Sequence, residues 1–334
     1  MLSRTADNLF WMARHIERAE NTARVLDVAH RTSLLPLDIE GSEAYLWYAP
    51  LNITGCARNY ESIYGLARAD SVTRYLALDA DNPASIYNCL RLARENARAV
   101  RGAITSEMWE VINATWLELN RWAQDMDDEK FADYFDWVKI RSHLFRGVTL
   151  GTILKDIALS FLKLGTFLER ADNTARILDV KFHILLPGVQ EVDGGADFYQ
   201  WGSVLKSVSA FEAYRKIYRD VISPLKVAEL LILREDMPRS LHACMNEVEA
   251  ALIDINGSSG KEARRRAGEI HAYLHFGRIE DVFERTLHGY LTDFVSDAEM
   301  LSQEIRDSYL SRRDQFLTAP PRKILQKQTA VLAY

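Results

Sequence analysis

Glu17-Arg-Ala-Glu-Asn-Thr-Ala-Arg-Val-Leu-Asp-Val28 returns later in the same chain as Glu169-Arg-Ala-Asp-Asn-Thr-Ala-Arg-Ile-Leu-Asp-Val180. A repeat of this kind has to be recognised before any fold is assigned. Duplicated helices most easily keep their apolar spacing, and here the charges are kept as well. Glu17, Glu20, Asn21, Arg24 and Asp27 come back as Glu169, Asp172, Asn173, Arg176 and Asp179.

The repetition reaches beyond this phrase. Asp81-Asn-Pro-Ala-Ser-Ile-Tyr-Asn-Cys89 matches Asp236-Met-Pro-Arg-Ser-Leu-His-Ala-Cys244. Trp47, Tyr60 and Tyr64 match Trp201, Tyr214 and Tyr218, and the offset drifts only from 152 to 155 residues. Strand-type alternation is scarce and helix periodicity dominates. The fold class expected is therefore all-α, a helical bundle built from two fused pseudo-repeats. The first spans about 1–150 and the second about 151–315, within one domain 1–315. A flexible basic tail, 316–334, follows.

The spacing predicts a first helix over 4–33 and a second over 42–68, bent near Pro50. Further helices are expected at 71–78, 84–101, 107–124 and 131–147. A long helix is expected at 152–183, then others at 197–220, 224–234, 238–254, 261–275 and 279–313. Pro83 and Pro238 stand where two helices should open, because a fixed φ and a missing N–H suit the first turn. Asn256-Gly-Ser-Ser-Gly260 reads as a break.

Bulk composition narrows the classes. The 334 residues are 48% hydrophobic, enough for a sizeable core, and the net charge is −6, which argues against general nucleic-acid or anionic-membrane binding. The three cysteines show no paired spacing and suggest a reducing compartment. Cys89 and Cys244 read as small core residues. No apolar run is long enough to span a bilayer, and no signal-peptide core follows Met1. The expected location is the cytoplasm.

On the first helix Leu9, Met12, Ile16, Ala19, Ala23 and Leu26 make an apolar stripe. Glu17, Asn21 and Arg24 lie along its border, and Glu20 and Asp27 project within it. Carboxylates on a packing face must be paired, hydrogen-bonded or liganded. Three readings stay open. Arg24 and Arg176 could satisfy the acids in a structural network. Glu17, Glu20, Glu169 and Asp172 could be catalytic acid–base groups, with Asn21, Arg24, Asn173 and Arg176 binding substrate. The acids could instead hold a metal, although the Glu-x-x-His pairs of di-metal bundles are missing and the arginines compete for the carboxylates. No metal and no cofactor are expected. The two charged helices should pack together, and removal of Arg24 or Arg176 should destabilise the fold.

Arg91, Arg94, Arg98 and Arg101 share one face of another helix, and the second copy has Asn246, Glu249, Ile253 and Asn256 instead. Guanidinium forks suit carboxylate or phosphate, so this stripe is the candidate anion-binding surface. A solvated face, or partners for the acidic motifs, is the plainer reading. His271 and His275, four apart, read as helix packing, since the Glu of a zinc-protease motif is missing. His143, Arg146 and Thr149 stand just before the second copy, where Phe145-Arg-Gly-Val-Thr149 reads as a connection. The chain carries no phosphate-cradling glycine loop, so ATP activation by this chain alone is not expected.

Ser3-Arg-Thr-Ala-Asp-Asn-Leu-Phe-Trp-Met-Ala-Arg-His-Ile-Glu-Arg-Ala-Glu-Asn21, Phe145-Arg-Gly-Val-Thr149 and Phe167-Leu-Glu-Arg-Ala-Asp172 resemble signatures of the bacterial alpha-E family. The segments Asp81 to Arg101 and Ser106 to Asn113 do so too. The chain departs from that pattern at Leu150 and at Ile153-Leu-Lys-Asp-Ile-Ala-Leu159, where a more polar stretch is expected. The resemblance implies a context: alpha-E proteins accompany a circularly permuted ATP-grasp protein and often a transglutaminase-like protein. It therefore implies a non-ATP-binding component of a peptide or amide ligase system, binding the ligase or its peptide or small anionic substrate. An enzyme using the paired carboxylates and a purely structural scaffold are the alternatives.

Overall fold

The computed structural model describes residues 1–34, 42–184, 194–255 and 260–310. The expected tail, the break at 256–259 and most of the loop before Ala196 lie outside them. Among the described residues the regular structure is entirely helical. The helices are α1 (Ser3–Ser33), α2 (Ser42–Ile53), α3 (Ala57–Tyr64), α4 (Ala69–Ala77), α5 (Ile86–Ala99), α6 (Ser106–Asp125) and α7 (Phe131–Thr152). There follow α8 (Ile157–Ile184), α9 (Gly194–Ser207), α10 (Phe211–Tyr218), α11 (Pro224–Ile232), α12 (Leu241–Ile255), α13 (Lys261–His275), α14 (Ile279–Glu284) and α15 (Leu287–Tyr309). None of them is long and apolar enough to cross a membrane.

Helix starts follow capping chemistry. Ser85 and Thr105 accept from the amides of Asn88 and Met108 at 3.1 and 3.2 Å, each satisfying an otherwise orphaned first-turn N–H. Ser240 does the same for Ala243 at 2.9 Å. Pro83 and Pro238 therefore sit in the turns before α5 and α12, not at their first helical positions. The expected helix over 42–68 ends instead at Thr54-Gly55, where Gly55 has φ 71°, while Pro50 is accommodated inside α2. Left-handed Ser209 (φ 52°) separates α9 from α10, and left-handed Thr286 (φ 67°) separates α14 from α15. Residues 145–149, expected as a connection, lie within α7, and the chain turns after Thr152.

α1 and α8 pack against one another at the centre. α5 and α7 flank α1, and α12 and α15 flank α8. Leu9, Met12, Leu26, Leu164, Leu168 and Leu178 are fully or almost fully buried, each contributing about 1.5–3 kcal/mol. Trp47 and Trp201, Tyr60 and Tyr214, and Cys89 and Cys244 are also buried. Burial pushes both thiols up to about 12, so they are inert core groups.

The two central helices approach closely because α8 carries Gly165 at the crossing. A Cβ there would lie 2.1 Å from the Phe10 carbonyl oxygen and 3.2 Å from the Arg14 nitrogen. Gly→Ala inside a helix ordinarily stabilises by roughly 0.5–1 kcal/mol. Here Gly165→Ala should destabilise, by about 1–3 kcal/mol or more, because backbone must move. Thermal melts of the two proteins check the sign, and a raised melting temperature would refute the close approach.

Candidate functional site

The repeated phrases meet across the α1–α8 interface, and they exchange partners. Arg170 donates from Nε and Nη2 to both oxygens of Glu17, at 2.9 Å each. Arg18 answers with Nε and Nη2 on both oxygens of Glu169, at 2.5 and 2.9 Å. Each Glu-Arg dipeptide thus gives its acid to the other's arginine. Bidentate guanidinium–carboxylate pairs fix orientation as well as charge. Arg14 adds a bond to Glu169 at 2.6 Å.

Glu20 joins the same lattice from one turn on. Its Oε1 accepts from Arg24 at 2.9 Å and Arg239 at 2.5 Å, and its Oε2 accepts from Arg146 at 2.5 Å and Ser142 at 2.6 Å. Arg239 also reaches Glu17 at 3.0 Å and Asn21 Oδ1 at 2.9 Å, while Arg146 bonds Glu17 at 2.8 Å. Glu17, Glu20 and Glu169 are all buried. Burial pushes each pKa upward, but the arginines outweigh it. Arg170 and Arg239 hold Glu17 below the usual range, and Arg18 and Arg14 hold Glu169 at about 2. Glu20 is kept well below its ordinary value by the His143 hydrogen bond and then Arg239 and Arg146.

These carboxylates therefore stay ionised and fully engaged. Carboxylates held below their ordinary pKa and engaged by two or more guanidiniums are poorly suited to general acid or base work. The lattice oxygens already face guanidiniums, which compete with any metal for them.

Cations exceed anions here. Arg24, Arg146, Arg170 and Arg239 surround only Glu17 and Glu20. The excess lies toward solvent, where the Arg146 side chain is 26% exposed. Arg24 donates to Ser209 Oγ at 2.5 Å and lies 3.1 Å from His143 Nε2. At this corner Arg24 is engaged by Glu20, Ser209 and His143, while Arg146 and His143 reach solvent. The buried Asn21 side chain keeps its amide nitrogen unpartnered beside this lattice.

Not every expected residue comes here. Arg24 is buried in the lattice, whereas Arg176 is one-third exposed and binds Asp172 at 2.9 Å and Glu299 at 3.1 Å. The expectation of a shared burial cost thus fits Arg24 and not Arg176, because Asp172 lies nearer the surface than Glu20. Asn173 leaves its own buried amide nitrogen unpartnered. The strongest arginine partners were not singled out from the sequence. Arg18 and Arg170 stand inside the phrase itself, each next to the glutamate it leaves to the other. Arg239 replaces Ala84 of the first copy, and that difference was the available signal.

The stripe lies apart from the lattice: Arg91, Arg94 and Arg98 are on α5, but α5 ends at Ala99, so Arg101 stands in the turn after it and not on the shared helix face expected. Arg91 donates to Asn88 at 3.0 Å, and Arg94 to Asn113 at 3.0 Å and Glu95 at 3.1 Å. Arg98 is 3.6 Å from Glu95. The Arg94 and Arg101 guanidiniums both lie near the Trp109 ring, 5.8 and 4.8 Å from its centroid. Among the described residues none of the four bonds a carboxylate of the repeated phrases, so the stripe is not their counter-charge.

An all-helical protein centred on reciprocal Glu-Arg pairs is the class these observations define. The chain belongs to the Alpha-E family, described as a predicted alpha-helical domain with a conserved ER motif; the family model matches residues 1–310. Glu17-Arg18 and Glu169-Arg170 are two such dipeptides, and they are the ones that pair with each other. An uncharacterized protein of Mycobacterium bovis is 24% identical over 322 residues, covering 91% of this chain and 36% of its own length. Uncharacterized proteins from two Mycobacterium tuberculosis strains are 24% and 23% identical over the same span. The chain thus spans about a third of the length of these curated relatives. No solved structure matches it.

Proposed function

We propose that this domain is the non-ATP-binding component of an ATP-grasp-dependent peptide or amide ligase system, and that it acts by binding. The observation that carries the reading is the arginine stripe of α5 and the turn that follows it. Arg94 and Arg98 share one carboxylate, Glu95, Arg91 bonds only the Asn88 side chain among the described residues, and the Arg94 and Arg101 guanidiniums both lie near the Trp109 ring. Such a surface suits an acidic patch on a partner or the carboxylates of a peptide. The ATP-grasp connection rests on the family's usual company, as does that with a transglutaminase-like protein. The absence of free, pKa-raised acids in the lattice favours a binding role over acid–base catalysis by Glu17, Glu20 or Glu169. A duplicated ancestral unit, fused within one domain over about 1–315, accounts for the paired phrases. After duplication only one copy kept the arginine stripe. Action in the cytoplasm fits the three free cysteines.

The test is charge reversal at Arg94→Glu with Arg98→Glu. Circular dichroism should be unchanged, because the stripe contributes no bond to the buried lattice. Capture of the neighbouring ATP-grasp protein should fall by at least tenfold, and wild-type capture should weaken with added salt. A folded variant that captures the ATP-grasp protein as well as wild type would sink the reading.

A further inference from the structure

We propose that His242, His271 and His275 form a binding site for a divalent transition-metal ion of the zinc class, with an open coordination position facing a surface pocket. The site is separate from the Glu-Arg lattice, and it replaces the expectation that the last two histidines serve only packing. α12 and α13 run side by side. The first turn of α12 carries His242, and the last turns of α13 carry His271 and His275. One potential ligand atom from each histidine lies within 4.8 Å of the others. In a tetrahedral site with metal–nitrogen bonds of about 2.0–2.1 Å, ligand nitrogens stand roughly 3.3 Å apart. Side-chain rotation of an exposed histidine can close that difference.

The protonation pattern supports ligation. His242 Nδ1 is 2.8 Å from the Leu233 carbonyl oxygen, which can only accept, so Nδ1 carries the proton. The lone pair is then on Nε2, and that atom is buried with no hydrogen-bond partner. A buried acceptor left unsatisfied is costly unless something occupies it. His271 Nδ1 is 2.9 Å from Glu249 Oε2, which likewise leaves its Nε2 free. A carbonyl behind one imidazole and a carboxylate behind another are the outer partners that orient metal-ligating histidines. Other accounts of the cluster leave the buried Nε2 without a role.

The three rings are 5.4–5.7 Å apart between centroids, a contact that three histidinium ions would not favour and that a shared cation would. His275 is exposed, and with His242 it lines a pocket of about 360 Å³ together with Leu233, Arg234, Glu235 and Asp236. Three protein ligands with a free side toward a pocket are the arrangement that leaves a fourth position to water or to a ligand. Asp236 is already held by Arg234 at 2.8 and 2.6 Å, so Glu235 is the carboxylate free to meet a bound water or a cationic group. The opposite side of the same connection is anchored by Arg239 in the central lattice.

The experiment uses the full chain without a polyhistidine tag, stripped with chelator and titrated with Zn²⁺ by calorimetry. Co²⁺ is the spectroscopic probe. One equivalent of Zn²⁺ should bind, and Co²⁺ should give the visible absorption of a four-coordinate nitrogen–oxygen site. His275→Ala, at an exposed position where folding is safe, and His271→Ala should each abolish tight binding. Glu249→Gln should weaken it by roughly 10–100-fold. His288→Ala, away from the cluster, should leave it unchanged. Failure of the wild-type protein to bind either ion stoichiometrically would overturn the proposal. So would binding that survives His271→Ala with His275→Ala.

Discussion

Arg239→Ala will cost about 3–5 kcal/mol of folding stability, the penalty for leaving buried carboxylates without a charge partner. This arginine is 6% exposed and bonds Glu17, Asn21 and Glu20 at once. Without it, two ionised glutamates one helical turn apart lose the guanidinium that lies between them. The Glu20 charge raises the Glu17 pKa, so the remaining arginines must offset both burial and repulsion. Arg176→Ala is the matched control, a copy of Arg24 by sequence but bonded to Asp172 and Glu299 near the surface. Exposed pairs are worth about 0–1 kcal/mol. Urea unfolding of the two variants beside wild type measures the gap. Equal and small losses would mean that water screens the lattice and that it does not fix the α1–α8 register.

How much of this could be read beforehand depends on what each feature leaves in the sequence. The helices with long apolar periodicity, α1 and α8 above all, were legible because burial of one face imposes spacing. Breaks at Ser209 and Thr286 were not, since a left-handed Ser or Thr carries no compositional mark, unlike Gly55. That the acids needed partners followed from their place on a packing face. Which arginines supplied them did not follow. Arg24 is four residues from Glu20 and visible on one helix, but Arg146 and Arg239 come from α7 and from the connection before α12. Partners brought by tertiary packing have no fixed spacing. The third histidine is the same case: His271 and His275 declare themselves on one helix, and His242 stands 29 residues before the first of them.

Stability will fall with acid in two limbs, and His15 sets the first. Its ring is buried, and burial followed by the nearby Arg18 holds its pKa down to about 3, from an ordinary 6.5. Between those values the unfolded chain binds a proton at this residue and the folded chain does not. Stability therefore falls with decreasing pH, by about 1.4 kcal/mol per pH unit for one such group. Below about pH 4.5 the glutamates join. Glu17, Glu20 and Glu169 have folded pKa values under their ordinary 4.5, so their contribution is complete above that pH and is lost as pH drops through the folded values. With all three acting the slope steepens by about 4 kcal/mol per pH unit. Urea midpoints at pH 7, 5.5 and 4 should show a shallow decline followed by a steep one. His15→Gln removes the titrating ring and should flatten the decline between pH 7 and 5 while leaving the steep limb in place. An unchanged upper limb in that variant would show that His15 titrates freely in the folded protein. A missing lower limb in wild type would show that the buried glutamates are not held ionised by their arginines.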